Sequence, residues 1–199
     1  MLKISNKIEI KLVYYTPPWL PGWLASASHG GKISEIDKND ALELTKKLLK
    51  WGHLEPLETS LFVFDCKIPL FVANQLNRHR IGCGRTQQSL RYCKITDIEL
   101  YYHDGNAPEH DMPLINSFLN YIENIASKAS CIQEKEQINR MLPSRIMIKY
   151  RCYFNFRSFM HLLEMRDKNN VQPETRYTVQ LMKSEIIKTD WGDLLKSIE

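Results

Sequence analysis

Between Arg145 and Asn155 apolar and polar residues alternate. Ile146, Ile148, Tyr150, Cys152 and Phe154 fall on one face, Lys149, Arg151 and Tyr153 on the other. A period of two over that length predicts a strand with one buried face, and such a strand needs partners. Three further segments supply them: Ile8 to Tyr15, where Ile8, Ile10, Leu12 and Tyr14 alternate with their neighbours, then Ser60 to Cys66, then Ile98, Leu100 and Tyr102.

Helical patterns fill the intervals. Asp40 and Glu43 have capping-box spacing, and the stripe of Ala41, Leu44, Leu48 and Trp51 ends at Gly52. Pro69 is well placed to open a helix through Leu76 towards Arg80. Ile115, Phe118, Ile122, Ile125 and Ala129 mark a long amphipathic helix, and Glu134 to Leu142 a shorter one that Pro143 ends. Two more are expected at about Arg157 to Met165 and Pro173 to Ile187. The proline-rich run from Pro17 to Gly22, the turn from His29 to Lys32 and the segment around Gly82, Cys83 and Gly84 read as loops. Strands and helices mix without a regular βαβ beat, which predicts an α+β fold. No repeat or linker divides the chain, so residues 1–199 are expected to form a single domain.

Hydrophobic residues at 43% and charged residues at 25% are those of an ordinary globular protein. Asp65, Lys67 and Pro69 break the longest apolar stretch, far short of the roughly 20 residues a membrane span needs. The start interleaves charges with apolar residues and offers no signal-peptide core. Five cysteines (Cys66, Cys83, Cys93, Cys131 and Cys152) without a Cys-x-x-Cys pair read as reduced thiols, so a cytoplasmic protein is expected, with no membrane partner. His103 and His110 lack metal-ligand spacing, and no metal site is expected.

The densest chemistry is Arg78-His79-Arg80, preceded by Gln75 and followed by Arg85, Gln87, Gln88, Ser89 and Arg91. On a continuous helix Gln75, Arg78 and His79 would share one face. Two guanidiniums and an imidazole there suit a phosphate or an electron-rich ring, and equally a solvated basic patch. A second cluster holds Asn155, Arg157, Ser158, His161 and Arg166. Arg157 and His161 are one turn apart. Arg166 is about half a revolution from Arg157, and so should face another pocket or lie past the helix end. A strand ending at Asn155 and feeding a helix at Arg157 could offer free N–H groups to an anion.

Together these motifs resemble the flavin-dependent thymidylate synthases, also called thymidylate synthase complementing proteins. The family signature is Arg-His-Arg, seven residues, then Ser, often as Ser-x-Arg-Tyr; here it runs from Arg78 to Tyr92. Gly52-His53, Glu58 and Phe62-x-Phe64 precede it in family order. Leu142-Pro143, Asn155-x-Arg157-Ser158, Leu163-x-Met165-Arg166 and Gln172-x-Glu174 follow it. The resemblance spans about Trp51 to Val179. It implies a mostly antiparallel sheet packed with helices, in a homotetramer with FAD and dUMP sites shared between subunits. It also implies reductive methylation of dUMP to dTMP, with methylenetetrahydrofolate supplying the methylene and NADPH recharging the flavin. By position, FAD would meet Glu58, Arg78, His79, Arg80, Ile81, Asn155, Arg157 and His161. The nucleotide would meet Gln75, Gln87, Ser89, Arg91, Arg140 and Arg166, of which Ser89 and Arg166 are the catalytic pair. Cationic groups against the flavin ring would favour its anionic reduced form.

The chain departs from the family at four places. Eight residues separate Arg80 from Ser89, Gln87 replaces the usual acid, and Glu55-x-x-Glu58-Thr59 replaces a hydroxyl residue and a His. Asn139 stands where the family has Arg, with Arg140 beside it. A changed loop leaves UMP or dCMP as the alternative substrate. Cys83 and Cys93 lack an activating His in a motif, and Ser89 lacks elbow glycines, so none reads as a nucleophile. A nucleic-acid binder would carry a larger basic excess than the net +4 seen here, so no nucleic-acid partner is expected.

Overall fold

The computed structural model describes residues 3–29, 36–92, 99–103, 105 and 108–197. The chain packs as two compact units. The larger comprises Ile10–Cys66, Leu76–Thr86 and Arg151–Glu199; the smaller comprises Met1–Glu9, Lys67–Gln75 and Gln87–Tyr150.

In chain order the elements are β1 (Lys3–Ser5), β2 (Glu9–Tyr15), α1 (Leu20–Ser26), α2 (Lys38–Trp51), β3 (Phe62–Pro69), α3 (Leu70–Leu76), β4 (Cys83–Gln87), β5 (Glu99–Tyr101), α4 (Met112–Lys128), α5 (Ile132–Asn139), β6 (Met147–Phe154), α6 (Phe156–Arg166), α7 (Pro173–Ile187) and α8 (Gly192–Lys196). The fold is α+β. A four-stranded sheet has the order β2-β3-β6-β4. Its pairing is antiparallel: Asn155 N–H donates to Gly82 O (2.8 Å) and Gln88 N–H to Lys149 O (2.8 Å), so β4 and β6 step in opposite directions. Arg151 with Asp65 (3.1 Å) and Phe156 N–H with Ser60 Oγ (3.0 Å) show the same for β3 and β6.

The alternation read in β6 holds, with Ile148, Tyr150, Cys152 and Phe154 buried. In the larger unit Phe62, Phe64, Phe156, Phe159 and Trp191 make the aromatic core. Trp191 stacks on Phe156 at 5.1 Å and meets Phe62 edge-on at 5.3 Å. Its indole N–H donates to Thr16 O (2.7 Å), so the buried ring leaves no orphan donor.

Several expectations are corrected. Asp37, not Asp40, caps α2, its carboxylate accepting from Asn39 N–H (2.6 Å). Trp51 is 60% exposed and lies off the buried stripe, whereas Gly52 ends the helix at φ 72° as expected. α1 begins within the proline-rich run, and its Gly22 N–H donates to Thr45 Oγ1 (2.9 Å); a Cβ there would run into the Ala41 carbonyl. Pro69 is the last residue of β3, and the expected helix starts one residue later, at Leu70. α3 stops at Leu76, so Gln75, Arg78 and His79 do not share a helix face. The Gly82–Gly84 segment leads into β4, because β6 offers it a hydrogen-bonding edge. Gly84 serves packing there: a Cβ would sit 2.6 Å from Tyr153 Oη. α8, built on Leu194 and Leu195 after Trp191, was not expected.

In the smaller unit β1 and β5 pair in parallel, Ile4 opposite Leu100. α4 turns Leu119 and Ile122 inward. Ile98 and Cys93, named in the sequence reading, lie outside the described residues. No helix among the described residues is long and apolar enough to cross a membrane.

Candidate active site

The site in the larger unit is built on the junction of β6 and α6. Asn155 leaves the strand and caps the helix, its Oδ1 accepting from Ser158 N–H (2.8 Å). Ser158 Oγ donates to Ile81 O (2.6 Å), and Asn155 N–H donates to Gly82 O (2.8 Å). Two chain segments thus cross at the closest possible approach. Gly82 has φ 61°, and a Cβ on it would fall inside contact with Ser158 Oγ and Asn155 Nδ2. The crossing fixes Ile81, whose side chain is 88% exposed.

Over this junction lies a cavity of about 950 Å³, walled by Glu58, the segment Arg78–Ile81 and α6. All eight residues expected at the flavin line it: Glu58, Arg78, His79, Arg80, Ile81, Asn155, Arg157 and His161. Arg166 lines it too. Its half-revolution from Arg157 placed it in another pocket or past the helix end; it is in fact the last residue of α6 and shares the cavity with Arg157, reaching His79 with Nε 3.2 Å from Nε2. Leu54 and Met160 add apolar wall that the motifs did not flag, beside Met165 of the Leu163-x-Met165-Arg166 motif. The one sequence signal for Met160 is its place three residues after Arg157 on the helix.

The charges divide by role. Arg157 pairs with Glu58 at 2.6 Å, both side chains being part exposed. His79 is not cationic: burial, then Arg166, His161 and Arg85, lower its pKa from 6.5 to about 4. The expected anion site on the α6 amides is largely consumed. Phe156 N–H goes to Ser60 Oγ and Ser158 N–H to Asn155. An anion here would be held by the guanidiniums of Arg78, Arg80 and Arg157. The arrangement suits a large anion with a flat apolar portion.

Burial pushes the Cys83 thiol up, and Cys152 is raised further by its hydrogen bond with Cys66 and by burial. Both stay protonated near neutrality, which speaks against Cys83 as a nucleophile.

The expected nucleotide contacts are not all together. Gln87, Ser89 and Arg140 line a cavity of about 380 Å³ in the smaller unit, beside Asn139. Asn139 Oδ1 is buried there without a hydrogen-bond partner. Gln75 lies on α3 and lines neither cavity, and the Arg91 side chain lies outside the described residues. A further cavity of about 590 Å³ shares Leu54 and Arg157 with the first and is walled by Leu24, Leu48, His53 and Glu55. No cluster of metal-ligating side chains occurs among the described residues.

Among known proteins, a flavin-dependent thymidylate synthase of Thermosipho africanus is 30% identical over 205 residues, 87% of this chain and 87% of that one. One from Thermotoga neapolitana is 28% identical over 185 residues, 81% of this chain and 83% of that one. A UMP/dUMP methylase from Streptomyces cacaoi, solved with 5-Br dUMP, shares the fold. Its TM-score is 0.72 at 18% identity, over 94% of this chain and 93% of that one. Residues 12–190 match the family model described as thymidylate synthase complementing protein, and the chain belongs to that family.

Proposed function

We propose that this protein is a flavin-dependent thymidylate synthase that converts dUMP to dTMP with methylenetetrahydrofolate, FAD and NADPH. One observation carries the reading: eight residues named from the family motifs line one cavity in the larger unit. The wall chemistry fits FAD. Ile81, Met160 and Met165 offer apolar surface to a planar ring, and Arg78, Arg80 and Arg157 offer donors to phosphates. Bound flavin would supply the hydride that turns a transferred methylene into a methyl group, and NADPH would restore it.

The chain's own residues would bind and orient. Arg78, Arg80 and Arg157 would neutralise the cofactor's phosphates, with Glu58 holding Arg157 in place through its ion pair. Arg166 would meet the nucleotide, together with Gln75, Gln87, Ser89, Arg91 and Arg140. Because Gln87, Ser89 and Arg140 line a different cavity from Arg166, a site completed by a second copy accounts for the division. A homotetramer is supported by α4, which buries Leu119 and Ile122 on one face and exposes Leu114 and Tyr121 on another. The family model covers residues of both compact units, which supports one family domain over residues 1–199. Free thiols at Cys66, Cys83, Cys131 and Cys152 favour a cytoplasmic setting.

A second reading, methylation of UMP or dCMP, is favoured by neutral Gln87 in the smaller cavity. Single-turnover assays with reduced FAD, methylenetetrahydrofolate and each of dUMP, UMP and dCMP test both. dTMP as the main product is the expected result. No methylated product with any of the three ends the proposal.

A further inference from the structure

His79 stands just beyond the end of α3, and the backbone fixes its place. Its N–H donates to Leu76 O (3.1 Å), and its carbonyl accepts from Arg85 Nη1 (2.8 Å) and Cys83 Sγ (3.1 Å). On the cavity wall its Nε2 lies 3.2 Å from Arg166 Nε, and its ring meets that of His161 edge-on at 5.9 Å. A guanidinium has only donors. The Arg166 bond therefore requires a lone pair on Nε2, which puts the single ring proton on Nδ1. The surroundings agree, since burial and the positive or protonatable groups facing the ring (Arg166, His161 and Arg85) all oppose an imidazolium. The sequence pattern gives an imidazole of either charge state; the geometry calls for an acceptor.

We propose that His79 is a positioning residue: as the neutral Nδ1–H tautomer it accepts the Arg166 Nε–H and so sets the direction in which that guanidinium meets an anionic nucleotide. Arg166 ends α6 on a long side chain with several rotatable bonds. Ordering such a chain at the moment of binding costs affinity, and a bond made beforehand at Nε removes much of that cost. The ring thus acts on the nucleotide through Arg166 rather than by touching it. The inference rests on the thymidylate synthase reading only for the identity of the ligand, taken as dUMP.

Two measurements on FAD-loaded protein test it. Long-range ¹H–¹⁵N NMR at neutral pH, with His79 signals assigned by their loss in His79→Gln, should show Nδ1 protonated and Nε2 bare. An imidazolium or an Nε2–H tautomer overturns the proposal, whatever the ligand proves to be. Calorimetry with dUMP should then show His79→Leu weakened about tenfold, the scale of one hydrogen bond to a charged group. His79→Gln, whose amide oxygen also accepts, should stay within about threefold of wild type. His79→Leu added to Arg166→Ala should cost nothing further, and independent, additive losses refute the coupling. If wild-type protein takes up no dUMP, the functional reading fails, and the tautomer still decides the role of His79.

Discussion

Replacing Gly82 by Ala should unfold the site's supporting knot before it touches any ligand. At φ 61° the backbone is left-handed, which costs an L-residue about 1–2 kcal/mol. The unfolded chain loses entropy on gaining a Cβ, and that returns about 0.4–1 kcal/mol. Sterics decide the rest. The new methyl would overlap Ser158 Oγ and Asn155 Nδ2 and lie 2.8 Å from Asn155 Cγ. Neither side chain is idle: Asn155 caps α6, and Ser158 ties Ile81 to it. Moving both forfeits a cap worth about 1 kcal/mol and a hydrogen bond of similar size. The net loss should be about 3 kcal/mol, or roughly 6–12 °C in melting temperature for a chain of this length.

Gly84→Ala is the control. Its Cβ would also crowd a neighbour, overlapping Tyr153 Cε1 and lying 2.6 Å from its Oη, but that ring is 45% exposed and can swing into solvent. A loss of about 1 kcal/mol is expected, in the ordinary range for a surface adjustment. Urea titrations of both variants make the comparison. In a Ser158→Ala background, Gly82→Ala should become less costly, because one of the two displaced groups is gone. Equal losses for Gly82→Ala and Gly84→Ala, or no relief from Ser158→Ala, refute the reasoning.

Trp191→Ala should cost about 3–5 kcal/mol by urea unfolding, since it empties the aromatic core and leaves Thr16 O without its donor; a loss below about 1 kcal/mol would refute that placement. The lowered pKa of His79, about 4 against 6.5, means that the unfolded chain binds a proton the fold refuses between those values. The ring's contribution to stability is therefore complete above about pH 6.5 and declines as pH falls towards 4; His79→Gln should flatten that decline, and parallel stability–pH curves would contradict it. Gln87→Glu should change the ranking of dUMP, UMP and dCMP in binding assays, because a site built to hydrogen-bond one group rejects its absence, whereas Arg166→Ala should weaken all three alike. An unchanged ranking would remove Gln87 from the nucleotide site.

Long period-two and period-3.6 patterns were legible because they report burial on one face, and β6 and α4 follow them. Elements made by tertiary pairing were not. β4 carries Gly84, follows Gly82 and reads as a loop until β6 is present to pair with it; Gly84 is there because Tyr153 lies across it, not because the chain turns. β1 is three residues long and exists through its pairing with β5. α8 is five residues long, too short for a periodic signal, and is held by Leu194, Leu195 and the adjoining Trp191. α3 ends at Leu76, two residues before Arg78, whose side chain and those of His79 and Arg80 therefore reach the cavity from a turn.

The site was legible as membership and not as geometry. Motif spacing collected eight residues that line one cavity, although they come from three separate stretches of chain. Spacing could not say which of them carry charge. Arg-His-Arg reads as two guanidiniums and an imidazole, and the fold faces that ring with Arg166, His161 and Arg85 and partly buries it, leaving a neutral acceptor for the Arg166 Nε–H. Helical arithmetic likewise gave Arg166 another pocket or a place past the helix end, whereas it ends α6 and shares the cavity with Arg157. That arithmetic holds for Cβ directions, whereas a terminal arginine at the last turn can lay its chain back across the helix end. His79 Nε2 gives it a reason to do so, and the same bond that defeats the helical-wheel argument is the one that would aim Arg166 at its ligand.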